Sequence, residues 1–228
     1  MSRIYCQGCQ YPKNACLCAH LKPMSCLTQV IVMQHPSEVS QSKNTVHLLS
    51  LVLPAMRRYV GESSADFEEL RQGLDLQHCY LVYPSDKSQS AEQISIALAN
   101  ANDDAASSKC VRGSPANSAP RTAPQTQTKI SIILLDGTWR KAYRMLQLNP
   151  WLLELPSLHL NFEGQSQYRI RKSSRTDSLS TLEAAAYTIQ ALEPNVDIEP
   201  ILKLFDAMVQ ARLDAMPTQV RARYHDDK

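Results

Sequence analysis

The sequence predicts an α/β protein with a mainly parallel sheet covered by helices. Two observations predict it. Short apolar runs recur at residues 27–33, 79–83, 130–135 and 158–162, each the length of a buried strand. Segments with apolar residues at helical spacing lie between and after them, and strands that alternate with helices give a parallel sheet with both faces covered.

The elements follow in order. Residues 1–26 form a cysteine-rich module with little apolar periodicity. Residues 27–33 read as a buried strand. The segment 45–56 reads as a helix with Val46, Leu49, Leu53 and Met56 on one face. A short strand at 79–83 ends at Pro84, and 91–101 is a helix. The strand at 130–135 stops at Asp136-Gly137-Thr138-Trp139, and its helix, 138–148, puts Trp139, Tyr143 and Leu146 on one face. After a fourth strand at 158–162, a helix over 180–192 opens with a capping box, Ser180 with Glu183. A last helix covers 200–216. The stretch 102–128 is rich in Ala, Ser, Thr, Pro, Gln and Asn, lacks aromatic residues and has Val111 as its only branched aliphatic residue. It buries too little apolar surface to offset its ordering entropy. It is expected to be a disordered insertion in a domain spanning 27–228.

At 228 residues with 43% hydrophobic content, the chain is long enough for a sizeable core. Its net charge of +2 does not by itself announce a nucleic-acid binder, so any such footprint must be local. The basic clusters are Arg57-Arg58, Arg140-Lys141-Arg144, Arg169-Arg171-Lys172-Arg175 and Arg221-Arg223. Each reads about equally well as a solvated face. No apolar run reaches the roughly 18 residues of a membrane helix, and Cys6 and Cys9 stand where a signal peptide would be apolar. The expectation is a cytoplasmic protein with no membrane partner.

Two clusters carry chemistry. Cys6-x2-Cys9-x6-Cys16-x-Cys18 places four of the seven cysteines within thirteen residues. Four thiolates make a closed tetrahedral site, the structural kind, and zinc is its usual occupant. His20 and Cys26 are spare ligands, and free thiols are the plainer reading. The second cluster is the Asp136 loop. It leaves the carboxyl end of a strand, where open α/β sheets bind ligands. It brings a carboxylate, a glycine, a hydroxyl and an indole, with Arg140, Lys141 and Arg144 on the helix that follows.

Further segments recur with these. They are Gln34-His35-Pro36-x-Glu38 with Lys43-Asn44-Thr45, Tyr168-Arg169-Ile170-Arg171-Lys172, and Leu179-Ser180-Thr181-Leu182-Glu183-Ala184. With Asp136-Gly137-Thr138-Trp139 and the cysteines, this ordered set resembles the DTW-domain family, named for its Asp-x-Thr-Trp motif. The resemblance covers most of the chain. It implies a fold related to SPOUT RNA methyltransferases, a class with knotted members, and either a monomer or a homodimer. It also implies a tRNA-uridine aminocarboxypropyltransferase, which moves the 3-amino-3-carboxypropyl group of S-adenosylmethionine onto N3 of a uridine.

On that resemblance, Cys6, Cys9, Cys16 and Cys18 are the zinc ligands. Asp136 is the candidate base, with three rival roles: N-cap of the next helix, holder of the cofactor's ammonium, or fixer of its own loop. Leu135, Gly137, Thr138, Trp139, His35, Pro36, Asn44, Thr45, Ser180 and Thr181 are candidates for S-adenosylmethionine binding. Trp139 reads equally as core, His35 equally as a structural histidine, and Ser180 as a cap alone. Arg140, Lys141, Arg144, Arg169, Arg171 and Lys172 are candidates for tRNA phosphates. An S-adenosylmethionine-dependent RNA methyltransferase and a non-enzymatic zinc-containing RNA-binding protein are the alternatives.

Overall fold

A computed structural model describes residues 4–41, 43–107, 129–161 and 179–222. At its centre is a wholly parallel sheet of six strands: β1 Gln29–Gln34, β2 Arg57–Val60, β3 Cys79–Val82, β4 Gln89–Ser90, β5 Ser131–Asp136 and β6 Ser157–His159. Their order across the sheet is β2-β1-β5-β3-β6-β4. The helices are α1 Pro36–Val39, α2 Thr45–Val52, α3 Glu68–Gln72, α4 Ala91–Ser107, α5 Trp139–Leu148, α6 Thr181–Leu192, α7 Glu199–Asp214 and α8 Thr218–Ala222.

Side chains alternate across each strand and build two cores. Val30, Val32, Ile132 and Leu134 point to one face and join α2, α6 and α7 in the larger core. Ile31, Met33 and Ile133 point to the other and join Phe67, Leu70 of α3, Met145 and Leu146 of α5, and Leu152. Phe205 and Phe67 are fully buried, one in each core; truncating either to alanine costs about 3–5 kcal/mol.

This arrangement positions the site. β1 and β5 are neighbours in register from Gln29↔Ser131 to Gln34↔Asp136. Yet α2, which follows β1 and the short α1, covers one face, while the helix after β5, α5, covers the other. Chains leaving adjacent strands in opposite directions open a crevice at their carboxyl ends, the place where such sheets bind ligands.

Several expectations need correcting. α2 stops at Val52 instead of Met56, because Pro54 disfavours helical geometry at Leu53. β2 and β4 were not expected: β2 is a half-exposed polar edge and β4 has only two residues. α4 runs on to Ser107, into the segment read as disordered. Ala101, Ala105 and Ala106 supply helix propensity there. The rest of that segment, 108–128, lies outside the described residues. The strand expected over 158–162 is shorter, Ser157–His159, and of its expected residues only Phe162 lies outside the described ones.

The cysteine module, read as almost coreless, shares the main core. Cys9 and Leu17 are buried in it, and the Met24 N–H donates to Val52 O at 2.8 Å. Within the module Gln10 takes a left-handed backbone, φ 59°, just after the Cys6–Cys9 knuckle.

Candidate active site

Asp136 is the last residue of β5 and only 9% exposed. Gln34, level with it on β1, donates from Nε2 to Asp136 Oδ2 at 2.8 Å. Thr181, first residue of α6, donates from Oγ1 to Asp136 Oδ1 at 2.6 Å. Both carboxylate oxygens are thus gripped, one from each of two separate chain segments. Among the rival roles for Asp136, the cap falls to Thr138, whose Oγ1 accepts from Lys141 N at 3.4 Å.

Gln34 also links the site to α2. Its Nε2 lies 3.3 Å from Asn44 Oδ1, and that oxygen caps α2 by accepting from Val46 N at 2.9 Å and His47 N at 3.2 Å. The N–H groups of Val46 and His47 at the start of α2 are therefore satisfied by Asn44 itself. Gln34 Oε1 is buried without a hydrogen-bond partner among the described residues. Gln34 was quoted in a motif but not counted as a site residue. Its position at a strand end opposite Asp136 is a fact of sheet register, which local pattern does not carry.

Beside the carboxylate stands a charged rim. His35 Nδ1 accepts from Ser37 N at 3.1 Å and caps α1, with Pro36 at its first position. That bond leaves the ring proton on Nε2, 3.4 Å from Glu62 Oε1. The same Glu62 oxygen receives Arg144 Nε at 2.8 Å, and Glu38 holds Lys141 Nζ at 2.6 Å. Two of the cations expected to face phosphate are thus paired to acidic groups of the rim. Glu62 gave no sequence signal because it lies in a loop without a motif. Arg140 is exposed and has no ion pair among the described residues. Arg169, Arg171 and Lys172 lie outside the described residues.

A Cβ on Gly137 would meet Lys141 Cβ at 3.0 Å, a tight contact, so packing against α5 favours glycine there. Leu135 is partly buried against the smaller core and Thr45 is buried. Ser180 is spent on its capping box: its Oγ accepts from Glu183 N at 3.2 Å, and its N–H donates to Glu183 Oε2 at 2.8 Å. Trp139 does not join the core. The buried stripe of α5 is Ala142, Met145 and Leu146, and Trp139 and Tyr143 face outward.

The four cysteines converge. The Sγ atoms of Cys6, Cys9, Cys16 and Cys18 all lie within 4.8 Å of one another. Cys6 and Cys18 are 3.5 Å apart, Cys9 and Cys16 3.8 Å. A tetrahedral zinc with Zn–S bonds near 2.3 Å would space its sulfurs about 3.8 Å apart, so the set fits that ion. Backbone N–H groups of Cys9 and Gly8 pull the Cys6 thiol down to about 6. Hydrogen bonding to Cys6 and the other thiols pushes Cys18 up to about 12. Leu17 N donates to Cys9 Sγ at 3.4 Å, a bond that orients a ligand sulfur. A Cβ on Gly8 would meet Cys18 Sγ at 3.1 Å, so the knuckle closes tightly on the sulfurs. The cluster is tied to the candidate site through α2: His47 Nε2 donates to Cys9 O at 3.0 Å, and Tyr11 stacks on the same ring at 5.8 Å.

No helix among the described residues is long and apolar enough to cross a membrane. Comparison with known proteins gives one family. The DTW domain model matches residues 3–213. Among curated relatives, tRNA-uridine aminocarboxypropyltransferase 2 of Mus musculus is 30% identical over 220 residues, which are 92% of this chain and 64% of that protein. The protein of the same name from Drosophila melanogaster is 28% identical over 207 residues, 88% of this chain and 71% of the relative. That of Macaca fascicularis is 28% identical over 218 residues, 92% and 64%. The chain therefore spans less than two thirds of the mouse and macaque proteins. No solved structure matches it. The matched span holds the four cysteines, the His35 loop, Asp136-Gly137-Thr138-Trp139 and Thr181 in one run, and the chain belongs to the DTW domain family.

Proposed function

We propose that the chain transfers the 3-amino-3-carboxypropyl group of S-adenosylmethionine to N3 of a uridine in tRNA, releasing methylthioadenosine. The matched relatives carry the name of that activity. Within this chain, the observation that carries the reading is Asp136, a nearly buried carboxylate held by Gln34 and Thr181 at the β1–β5 crevice.

The reaction is a displacement at carbon. The uridine N3–H gives up its proton, N3 bonds to the methionine Cγ, and the Cγ–S bond breaks with its electrons going to sulfur. A sulfonium leaves readily, so alignment and proton removal remain for the protein. Asp136 is the proton acceptor in this reading, and the Gln34 amide and the Thr181 hydroxyl orient it. S-adenosylmethionine lies in the crevice between the His35–Pro36 and Asp136–Trp139 loops, beside Asn44, Thr45 and Thr181. Arg140 meets tRNA phosphate. Cys6, Cys9, Cys16 and Cys18 hold a structural zinc that fixes the knuckle against α2, and the domain is SPOUT-like.

Incubating the protein with S-adenosylmethionine and tRNA tests the reading. Methylthioadenosine should accumulate, and digested tRNA should contain a uridine heavier by the aminocarboxypropyl group. Adenosylhomocysteine as the only product would mean methyl transfer and overturn it.

A further inference from the structure

On the far side of Asp136 from Thr181, three rings form one aromatic face. Trp139 and Tyr143 stand one turn apart on α5, so they share a side of that helix. They are 43% and 57% exposed, although the opposite side of α5 is buried. Tyr83, just past β3, meets Trp139 edge-on, with ring centroids 6.1 Å apart at 66°. Burial raises the Tyr83 hydroxyl above its ordinary value, and the Tyr143 phenol adds to that rise, so the third ring is close as well. Arg140 and Arg144 are exposed on the same helix.

We infer that Tyr83, Trp139 and Tyr143 form a stacking platform for an unpaired RNA base next to the nucleotide held at Asp136. The inference rests on the proposed tRNA substrate and names the surface that grips it. Unstacked bases of single-stranded loops are bound on aromatic rings, with arginines nearby for the phosphates. Geometry favours that occupant over the adenine of the co-substrate. Small ligands are enclosed on most of their surface and fixed by a few buried polar groups. Here those groups, Gln34, Asp136 and Thr181, sit toward the larger core, whereas the aromatic face is open.

Intrinsic fluorescence tests the inference. The chain has two tryptophans, and Trp151 is only 7% exposed, so Trp139 reports on the face. Adding a short single-stranded uridine-rich RNA to the full chain should quench the emission, and S-adenosylmethionine alone should not. The response should vanish in Trp139→Phe. Tyr143→Ala, an exposed substitution, should weaken RNA binding about tenfold, the scale of one lost base stack, with S-adenosylmethionine affinity unchanged. RNA that fails to quench, equal quenching by S-adenosylmethionine alone, or unchanged RNA affinity in Tyr143→Ala each overturns the platform. A wild-type protein that is quenched by RNA yet releases no methylthioadenosine would sink the transfer reaction and leave the platform standing.

Discussion

Gln34 and Asp136 end adjacent parallel strands in register, and the Gln34 amide donates to the Asp136 carboxylate at 2.8 Å. Gln34 is fully buried, and its other contact is the cap of α2 at Asn44. A carboxylate at a crevice is thereby tied to the helix that carries the cysteine knuckle.

Thr181→Val should test the second grip on Asp136. Valine keeps the shape of threonine and removes the donor to Oδ1. Losing that bond should cost about 1 kcal/mol, or roughly 2–4 °C in melting temperature for a domain of this size. Single-turnover transfer should slow, and Thr181→Ser should restore it. Wild-type turnover in Thr181→Val would show that the hydroxyl does not orient the carboxylate.

Ser180→Ala should act on stability. The hydroxyl caps α6 through Glu183 N, and the reciprocal bond from Ser180 N to Glu183 is buried. A loss of about 1 kcal/mol is expected, seen by thermal melting, with S-adenosylmethionine affinity unchanged by calorimetry. A large drop in affinity at unchanged stability would instead make Ser180 a ligand contact.

Purified protein should carry about one zinc per chain by the coordination rule of closed four-thiolate sites. Cys16→Ser should lose the metal and lower the melting temperature, because Cys9 and Leu17 are part of the main core and would be released with the knuckle. A metal-free protein of equal stability and activity would contradict the zinc assignment.

The basic residues of α5 should separate. Arg140 is exposed, so Arg140→Ala should weaken tRNA binding and reduce the salt slope by about one unit. Lys141 is held by Glu38 across the crevice rim, so Lys141→Ala should disturb the His35 loop and slow transfer more than it changes the salt slope. Equal effects of the two substitutions on the slope, read by filter binding across salt concentrations, would refute the distinction.

Much of this architecture was legible in the sequence because burial leaves a periodic trace. β1, β3 and β5 are apolar runs, and α6 begins at a capping box that local chemistry alone specifies. β2 was missed because an edge strand carrying Arg57 and Arg58 need not be apolar. The side of α5 that meets the core stayed open in the sequence because the buried stripe centres on Ala142, a small residue, while the larger rings point outward. The cysteines were legible from spacing alone. Gln34 and Glu62 were not, since one acts through strand register across 102 residues of sequence and the other through a loop contact.

The most direct test of the account is single-turnover transfer by Asp136→Asn. The substitution keeps the size of the side chain: its amide oxygen can keep the Gln34 donor and its amide nitrogen can donate to the Thr181 hydroxyl, so the fold should persist. With Asp136 as the proton acceptor, transfer of the aminocarboxypropyl group to tRNA should slow by about 10²–10⁴-fold, while S-adenosylmethionine and tRNA affinities change little. A wild-type single-turnover rate in Asp136→Asn would contradict the account.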